Sequence, residues 1–200
     1  TLSPGSSRKL TVASARPGTY TYRSLHEKDR RAKWGDKQPA PAPVGGGKVH
    51  SLPEKGLIDN TAWKLDRISS QNLANQRDAK YAIDGDPRTV WHSRFGDRLD
   101  KHPHELVIDL GKAQSIKGFF YLARQDNGWN GAFKACEFYV SDDPNSFDRL
   151  AAKATFEKVK TPQKATCEPV KGRYVLVRVL SEVNDGPWAS AAEIGVMGGN

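Results

Sequence analysis

Cysteine is scarce in this 200-residue chain: there are two, Cys136 and Cys167, with no Cys-x-x-Cys and no histidine at ligand spacing. That excludes the common zinc frameworks. No run of 18 apolar residues occurs, so no segment reads as a transmembrane helix. Apolar residues make up only 37% and mean hydropathy is −0.67, so part of the chain is expected to stay solvated. No Gly-x-Ser-x-Gly elbow, His-Glu-x-x-His or dinucleotide glycine pattern is present, and the expectation is a chain that is not an enzyme. Gly47-Lys48 ends the one phosphate-loop-like run, but Ala42 and Val49 stand where Gly and Ser or Thr are required. The chain opens at Thr1 with no apolar signal segment, which reads as a piece of a longer protein or a processed one. Acidic charge is the sparser sign, and the formal net charge is +8. Residues 1–56 carry 11 Lys and Arg against 4 Asp and Glu, whereas residues 57–200 carry 20 against 19. Nucleic-acid binding needs cations clustered on a folded face, so a basic leader before a nearly neutral domain argues against it.

Three segments follow from the pattern. Residues 1–25 read as a hairpin left over from an upstream domain: Leu10 to Val12 alternates, Pro17-Gly18 turns, and Thr19 to Tyr22 is β-prone. This stretch resembles the last two strands of a cupredoxin. The resemblance implies a copper loop, but Ser24 stands near the Cys position, His26 follows, and no Met comes after, so copper is not expected. Residues 26–56 hold a charged patch, then Pro39-Ala40-Pro41-Ala42-Pro43 and Gly45-Gly46-Gly47, a linker that is first extended and then flexible. From Leu57 to residue 198 short strands take over: Leu106 to Leu110, Ile116 to Leu122, Cys136 to Val140 and Tyr174 to Leu180. Turn signals at 110–112, 142–144 and 171–172 separate them. Asp78 to Ala82 allows one helical turn. The absence of helical periodicity predicts an all-β sandwich of about 140 residues.

Within it, Ala82-Ile83-Asp84-Gly85-Asp86-Pro87-Arg88-Thr89-Val90-Trp91-His92 holds two carboxylates and a hydroxyl around a glycine turn. Calcium takes six to eight oxygens from such flexible loops, roughly 2.4 Å away. Asp84, Asp86 and Thr89, with an upstream carbonyl, offer part of that set; a plain Asp-Gly turn capped by Thr89 is the other reading. An EF-hand is excluded because its twelfth position is Phe95. Glu193 lies on a late, otherwise apolar strand, where an unpartnered carboxylate is costly, and this favours the cation.

The runs AIDGDPRTVWHSRF, HPHELVIDLG, GFFYLARQDNGWNG, CEFYVSDDPNSF and GRYVLVRVLSEVNDGPWASAAEIGV occur in the order found in discoidin, or coagulation factor 5/8 type C, domains. Over about residues 57–197 the chain most resembles family 32 carbohydrate-binding modules. The resemblance implies a jelly-roll (galactose-binding-like) sandwich with a structural calcium. The ion would be held by the carbonyl of Tyr81, side chains of Asp84 and Asp86, both oxygens of Thr89, the carbonyl of Ala192 and the carboxylate of Glu193. It also implies a sugar site of His92, Arg124 and Asn130, with Phe95, Trp129 and Trp188 as stacking candidates. Relatives often carry Trp at the position of Phe95 and an acidic residue at that of Asn75, which leaves the identity of the sugar open.

Other readings compete at single positions. Trp91 suits the core, His104 suits a strand end, and Arg124 could form a surface ion pair with Asp126 or Asp185. For Trp129, packing on its own loop competes with binding, while Trp188 is expected to stand exposed. Cys136 and Cys167 read either as separate buried thiols or as one disulfide across a sheet, the disulfide being preferred. A disulfide implies an oxidising compartment. The expected function is non-catalytic glycan binding, tethering a larger secreted or cell-surface protein in an extracellular, periplasmic or cell-surface setting. A phospholipid- or protein-binding adhesion module is the competing class.

Overall fold

The computed structural model describes residues 48–199, together with the backbone of two strands nearer the start. The chain divides between Ala40 and Pro41 into two units. In the first, β1 (Ser7–Val12) pairs antiparallel with β2 (Gly18–Arg23), with Leu10 opposite Tyr20, the hairpin read from the sequence. The copper-loop positions Ser24 and His26, and residues 26–47 of the expected linker, lie outside the described residues.

The second unit contains β3 (Lys64–Ile68), β4 (Trp91–His92), β5 (His104–Leu122), β6 (Ala135–Ser141), β7 (Leu150–Thr155), β8 (Gln163–Val179), β9 (Ser190–Ala191) and β10 (Glu193–Gly198). Strand order is β10-β5-β8-β6-β7, with β3 also on β5, while β4 and β9 form a separate ribbon. Among the described residues of this unit the helical pieces are 3-10 turns at Leu73–Asn75 and Ala79–Ala82, so the all-β reading stands. Among the described residues no helix is long and apolar enough to cross a membrane.

The turns expected at 110–112 and 171–172 are not chain reversals. Both lie inside the long strands β5 and β8. Residues 104–109 of β5 pair with β3 and with residues 174–179 of β8. Residues 116–121 pair with β10 and with residues 163–170 of β8. The ladder shifts register between Asp109 and Gln114, where Gly111 takes φ +81°, a conformation that suits glycine. The two strands thus bend from one layer into the other and fold a single hydrogen-bonded sheet over on itself. A glycine beside polar residues marks a bend as readily as a reversal, which is why the local signal misled.

Aromatic rings fill the space between the layers. Phe119 of β5 stacks on Phe138 of β6 with centroids 4.4 Å apart, and Tyr121 stacks on Phe133 at 4.2 Å. The Tyr121 hydroxyl donates to the Ser190 carbonyl (3.1 Å) and accepts the Phe133 N–H (2.9 Å), so this buried phenol is satisfied at both ends. Trp91 is fully buried, as expected, and its indole N–H donates to the Ser70 carbonyl at 3.0 Å. Along β6 the alternation holds: Cys136, Phe138 and Val140 face inward.

The preferred disulfide does not form; both cysteines are free. Cys136 stands opposite Val179 at the end of β8, whereas Cys167 belongs to the earlier stretch of β8, near the bulge facing Ile116 and Gly118. With Cys136 on β6 beside the far end of β8 and Cys167 on the earlier stretch of β8, the argument for an oxidising compartment falls.

The contacts of the fold begin before Leu57. The His50 N–H donates to Gln125 Oε1 (2.8 Å), Ile58 N–H donates to the Val196 carbonyl (2.9 Å), and Gly198 N–H to the Gly56 carbonyl (3.0 Å). This segment covers the free edge of β10, a position that otherwise invites unwanted strand pairing.

Candidate functional site

Two neighbouring features carry chemistry, and both grow out of the stretch from Ala79 to Phe95. The first is the Asp-Gly loop. After the turn at Ala79–Ala82, Gly85 takes φ +79°, and the Asp86 N–H donates to Asp84 Oδ1 (3.0 Å), which closes a tight loop. Thr89 Oγ1 lies inside it, 3.0 Å from both Asp84 carboxylate oxygens, 2.9 Å from the Asp86 carbonyl and 3.4 Å from the Tyr81 carbonyl. One hydroxyl proton cannot serve four acceptors. Glu193 is only 3% exposed, and its Oε1 has no hydrogen-bond partner. Burial first, and then the Asp84 carboxylate beside it, push Glu193 up to about 9.

The Asp84 and Glu193 side of the loop is therefore rich in oxygen, while the cation of the loop, Arg88, is spent on Asp86, which fits a further hard cation. The Asp86 side chain departs from the expected set. Arg88 grips it with Nε and Nη2 at 2.8 and 2.9 Å, leaving the Asp86 carbonyl, not its carboxylate, turned toward Thr89. Accordingly, no group of three or more His, Cys, Asp or Glu side chains converges as a metal site among the described residues.

The second feature is an end of the sandwich where several loops meet. The short strand β4 pairs with β9, His92 opposite Ser190. Ser93 N–H donates to the Ala189 carbonyl (2.7 Å) and Ser93 Oγ accepts the Ala189 N–H (2.9 Å). Ser190 N–H donates to Gly131 (2.7 Å), and Ser190 Oγ donates to the Asn130 carbonyl (2.9 Å). Asn72 reaches across to the Phe95 carbonyl at 3.1 Å. These bonds tie together the backbones of three loops, those that carry Phe95, Asn130 and Trp188.

The expected ligand residues differ in how they are presented. His92 is buried, 4% exposed, because the β4–β9 pairing draws it inward. Its Nδ1 donates to the Ser93 carbonyl (2.7 Å), and its ring meets Phe95 edge to face at 4.8 Å. Burial, reinforced by the fields of Arg124 and Arg77, lowers it to about 4, so the ring is neutral near pH 7. His92 thus shows only a small part of itself at the surface, beside Phe95.

Arg124 is held by Asp126 through two bonds of 2.6 Å, Nε to Oδ1 and Nη2 to Oδ2. Their side chains are 14% and 13% exposed, so the pair is not the loose surface contact weighed above. Burial opposes ionisation of Asp126, but the Arg124 hydrogen bonds outweigh it and hold the carboxyl below its ordinary value. Arg124 Nη1 points toward the Asn130 carbonyl (3.4 Å). Asn130 itself is exposed, with its side-chain amide unengaged among the described residues.

The stacking candidates also separate. Phe95 is half-buried and edge-packed on His92. Trp129 is covered: Lys160 Nζ sits 3.7 Å from its ring centroid, with Lys158 Nζ at 5.7 Å. Trp188 is half-buried rather than fully exposed, and its indole nitrogen is buried without a partner. Asp126 and Lys160 are the contributors that the sequence did not bring forward as site residues. The Arg124-Gln125-Asp126 spacing carried a signal for Asp126. Lys160, whose Nζ donates to the Arg124 and Gly128 carbonyls at 2.7 Å each, arrives from a distant loop with none. A guanidinium edge, a free amide and aromatic faces at one end suit a ring that bears adjacent hydroxyls on one side and C–H groups on the other.

The sequence model for the F5/8 type C domain matches residues 64–194. The chain is 33% identical over 149 residues to a galactose oxidase of Gibberella zeae, a match covering 73% of this chain and 21% of that protein. It is 32% identical over 146 residues to a sialidase of Micromonospora viridifaciens, covering 72% of this chain and 22% of that protein. The chain therefore spans about a fifth of the length of these curated relatives. Among solved structures, it is similar to a family 32 carbohydrate-binding module of Clostridium perfringens in complex with GalNAc-β-1,3-galactose, with 27% identity and a TM-score of 0.64, covering 70% of this chain and 99% of that one. It is also similar to the family 32 module of Clostridium perfringens NanJ in complex with galactose, with 26% identity and a TM-score of 0.61, covering 70% and 97%.

Proposed function

Because the chain belongs to the F5/8 type C domain family, we propose that its second unit is a non-catalytic module that binds galactose-type sugars. The observation that carries this reading is that the loop holding Arg124 and Asn130 is bonded through the Asn130 carbonyl to Ser190, the strand partner of His92, on which Phe95 packs. Arg124, aimed by Asp126, and the free Asn130 amide engage neighbouring hydroxyls. Phe95, steadied from below by His92, and Trp188 meet the apolar side of the ring. Galactose and GalNAc-containing ligands are named for two similar modules, which supports this sugar class.

The module's role is tethering. Weak binding by one module raises the local concentration of whatever it is joined to at a glycan surface. Two curated relatives are enzymes several times longer than this chain, consistent with an appendage to a catalytic protein that works outside the cytoplasm or at a cell surface. Calcium has a structural part in the proposal. The carbonyls of Tyr81, Asp86 and Ala192, the Asp84 and Glu193 carboxylates and Thr89 would hold it, and the unpartnered Glu193 oxygen supports the assignment. When bound, the ion would supply positive charge beside Asp84 and Glu193.

Glycan-array binding of the chain, repeated with Asn130→Ala, tests the reading. The Asn130 amide supports no other described contact, so the variant should melt as the native chain does and lose most galactose binding. Failure to bind any glycan, together with sedimentation on anionic liposomes, would sink the proposal in favour of a membrane-surface module.

A further inference from the structure

The rim of this site carries an imbalance of charge that a neutral sugar does not use. Arg77 follows the Leu73–Asn75 turn, and its backbone is fixed there: its N–H donates to the Asn72 carbonyl (3.0 Å) and its carbonyl accepts the His92 N–H (3.3 Å). The residue is half-buried, yet among the described residues its guanidinium makes no ion pair or hydrogen bond. Burial, then the field of Arg124, lowers its pKa, opposed by Asp126.

Asp126 is already engaged on both oxygens by Arg124. A third cation, Lys160, lies over Trp129; burial first lowers it to about 8, with Arg124 adding to the effect against Asp126. Asp78, the next residue along the chain from Arg77, is drawn to Lys80 (3.5 Å). Arg77, Arg124 and Lys160 are thus left around one spoken-for carboxylate.

We propose that Arg77 reads an anionic substituent, a carboxylate or a sulfate, on the bound sugar, so that the site prefers acidic glycans to neutral galactose. The inference rests on the glycan-binding reading of this same end of the molecule. A guanidinium with unengaged N–H groups offers a planar fork to either anion, and partial burial strengthens the contact by limiting screening. Lys160 spends its hydrogen bonds on backbone carbonyls, so its contribution is charge, not contact.

Calorimetric titration of the full chain with galactose, galacturonate and galactose 6-sulfate tests this, at low and at high salt. At least one acidic sugar should bind about tenfold more tightly than galactose at low salt, with a margin that shrinks as salt is raised. The carboxylate and sulfate arms show which anion is read. Arg77→Gln should remove the margin while galactose is still bound, and Arg77→Lys should retain part of it. Should Arg77→Gln fail to fold, the Arg77→Lys variant and the native salt dependence still decide. Equal affinity of the native chain for galactose and both acidic sugars would overturn the inference but leave the galactose site intact. An undiminished margin in a folded Arg77→Gln would do the same. Failure to bind any of the three sugars would defeat both readings.

Discussion

A histidine next to an apparent binding loop invites assignment as a ligand; in the structure His92 is buried and packs edge to face on Phe95. Buried in the neutral form, it carries a pH signature. Its folded value, about 4, lies below the 6.5 of the free side chain. Between those values the unfolded chain takes up a proton that the folded one refuses, so stability should fall as pH drops from about 6.5 toward 4. The contribution is at most about 3 kcal/mol. Urea unfolding at several pH values should show a shallower acid loss in His92→Gln than in the native chain; parallel curves would remove His92 as the source. His104, also lowered by burial and bonded to the Pro187 carbonyl at 2.7 Å, remains in both and cancels in the comparison. Arg124 and Asn130, six residues apart in the sequence, both fall on the loop between β5 and β6. It could not show that Lys160 caps Trp129 or that Arg88 claims the Asp86 side chain, since neither choice leaves a local pattern.

Among elements, the loops at the site end depend on close backbone approach. Gly131 takes φ +83°, and a Cβ there would stand 2.7 Å from both the Ala189 carbonyl carbon and the Ser190 nitrogen. Those are backbone atoms tied to Gly131 by the Ser190 N–H bond, so they cannot yield cheaply. Gly131→Ala should therefore cost on the order of 1–3 kcal/mol and, by displacing Asn130, weaken sugar binding as well. A melting temperature within about a degree of native would contradict this. Strand positions were legible from alternation, as along Cys136 to Val140. Strand lengths were not. Glycine and polar residues at 110–112 and 171–172 mark a bend where the sheet changes layers, and only long-range pairing distinguishes that from a turn. The thiols show the same limit: core-facing positions on two strand-like segments suggested a cross-sheet bridge, and the register of β8 separates them.

For the molecule as a whole, the calcium loop joins distant parts of the sequence, since Glu193 on β10 faces a loop that ends at Thr89. If an ion binds there in the folded state alone, calcium at a hundredfold excess over its dissociation constant should add about 2.7 kcal/mol, or several degrees of melting temperature. Chelator should reverse the gain, and Asp84→Asn should abolish the response. A melt indifferent to calcium and chelator would exclude the ion. The family was legible in the sequence because its motifs fall in order along the chain. The long bent pair β5 and β8 was not, and it governs how the chain must assemble. Each arm belongs to both layers, and the arms are separated in sequence by everything from Ala123 to Pro162. Neither layer can therefore be completed first and wait for the other. Closure of that distant pair sets the pace, so folding should be slow for a domain of this size and pass through no stable half-formed sandwich.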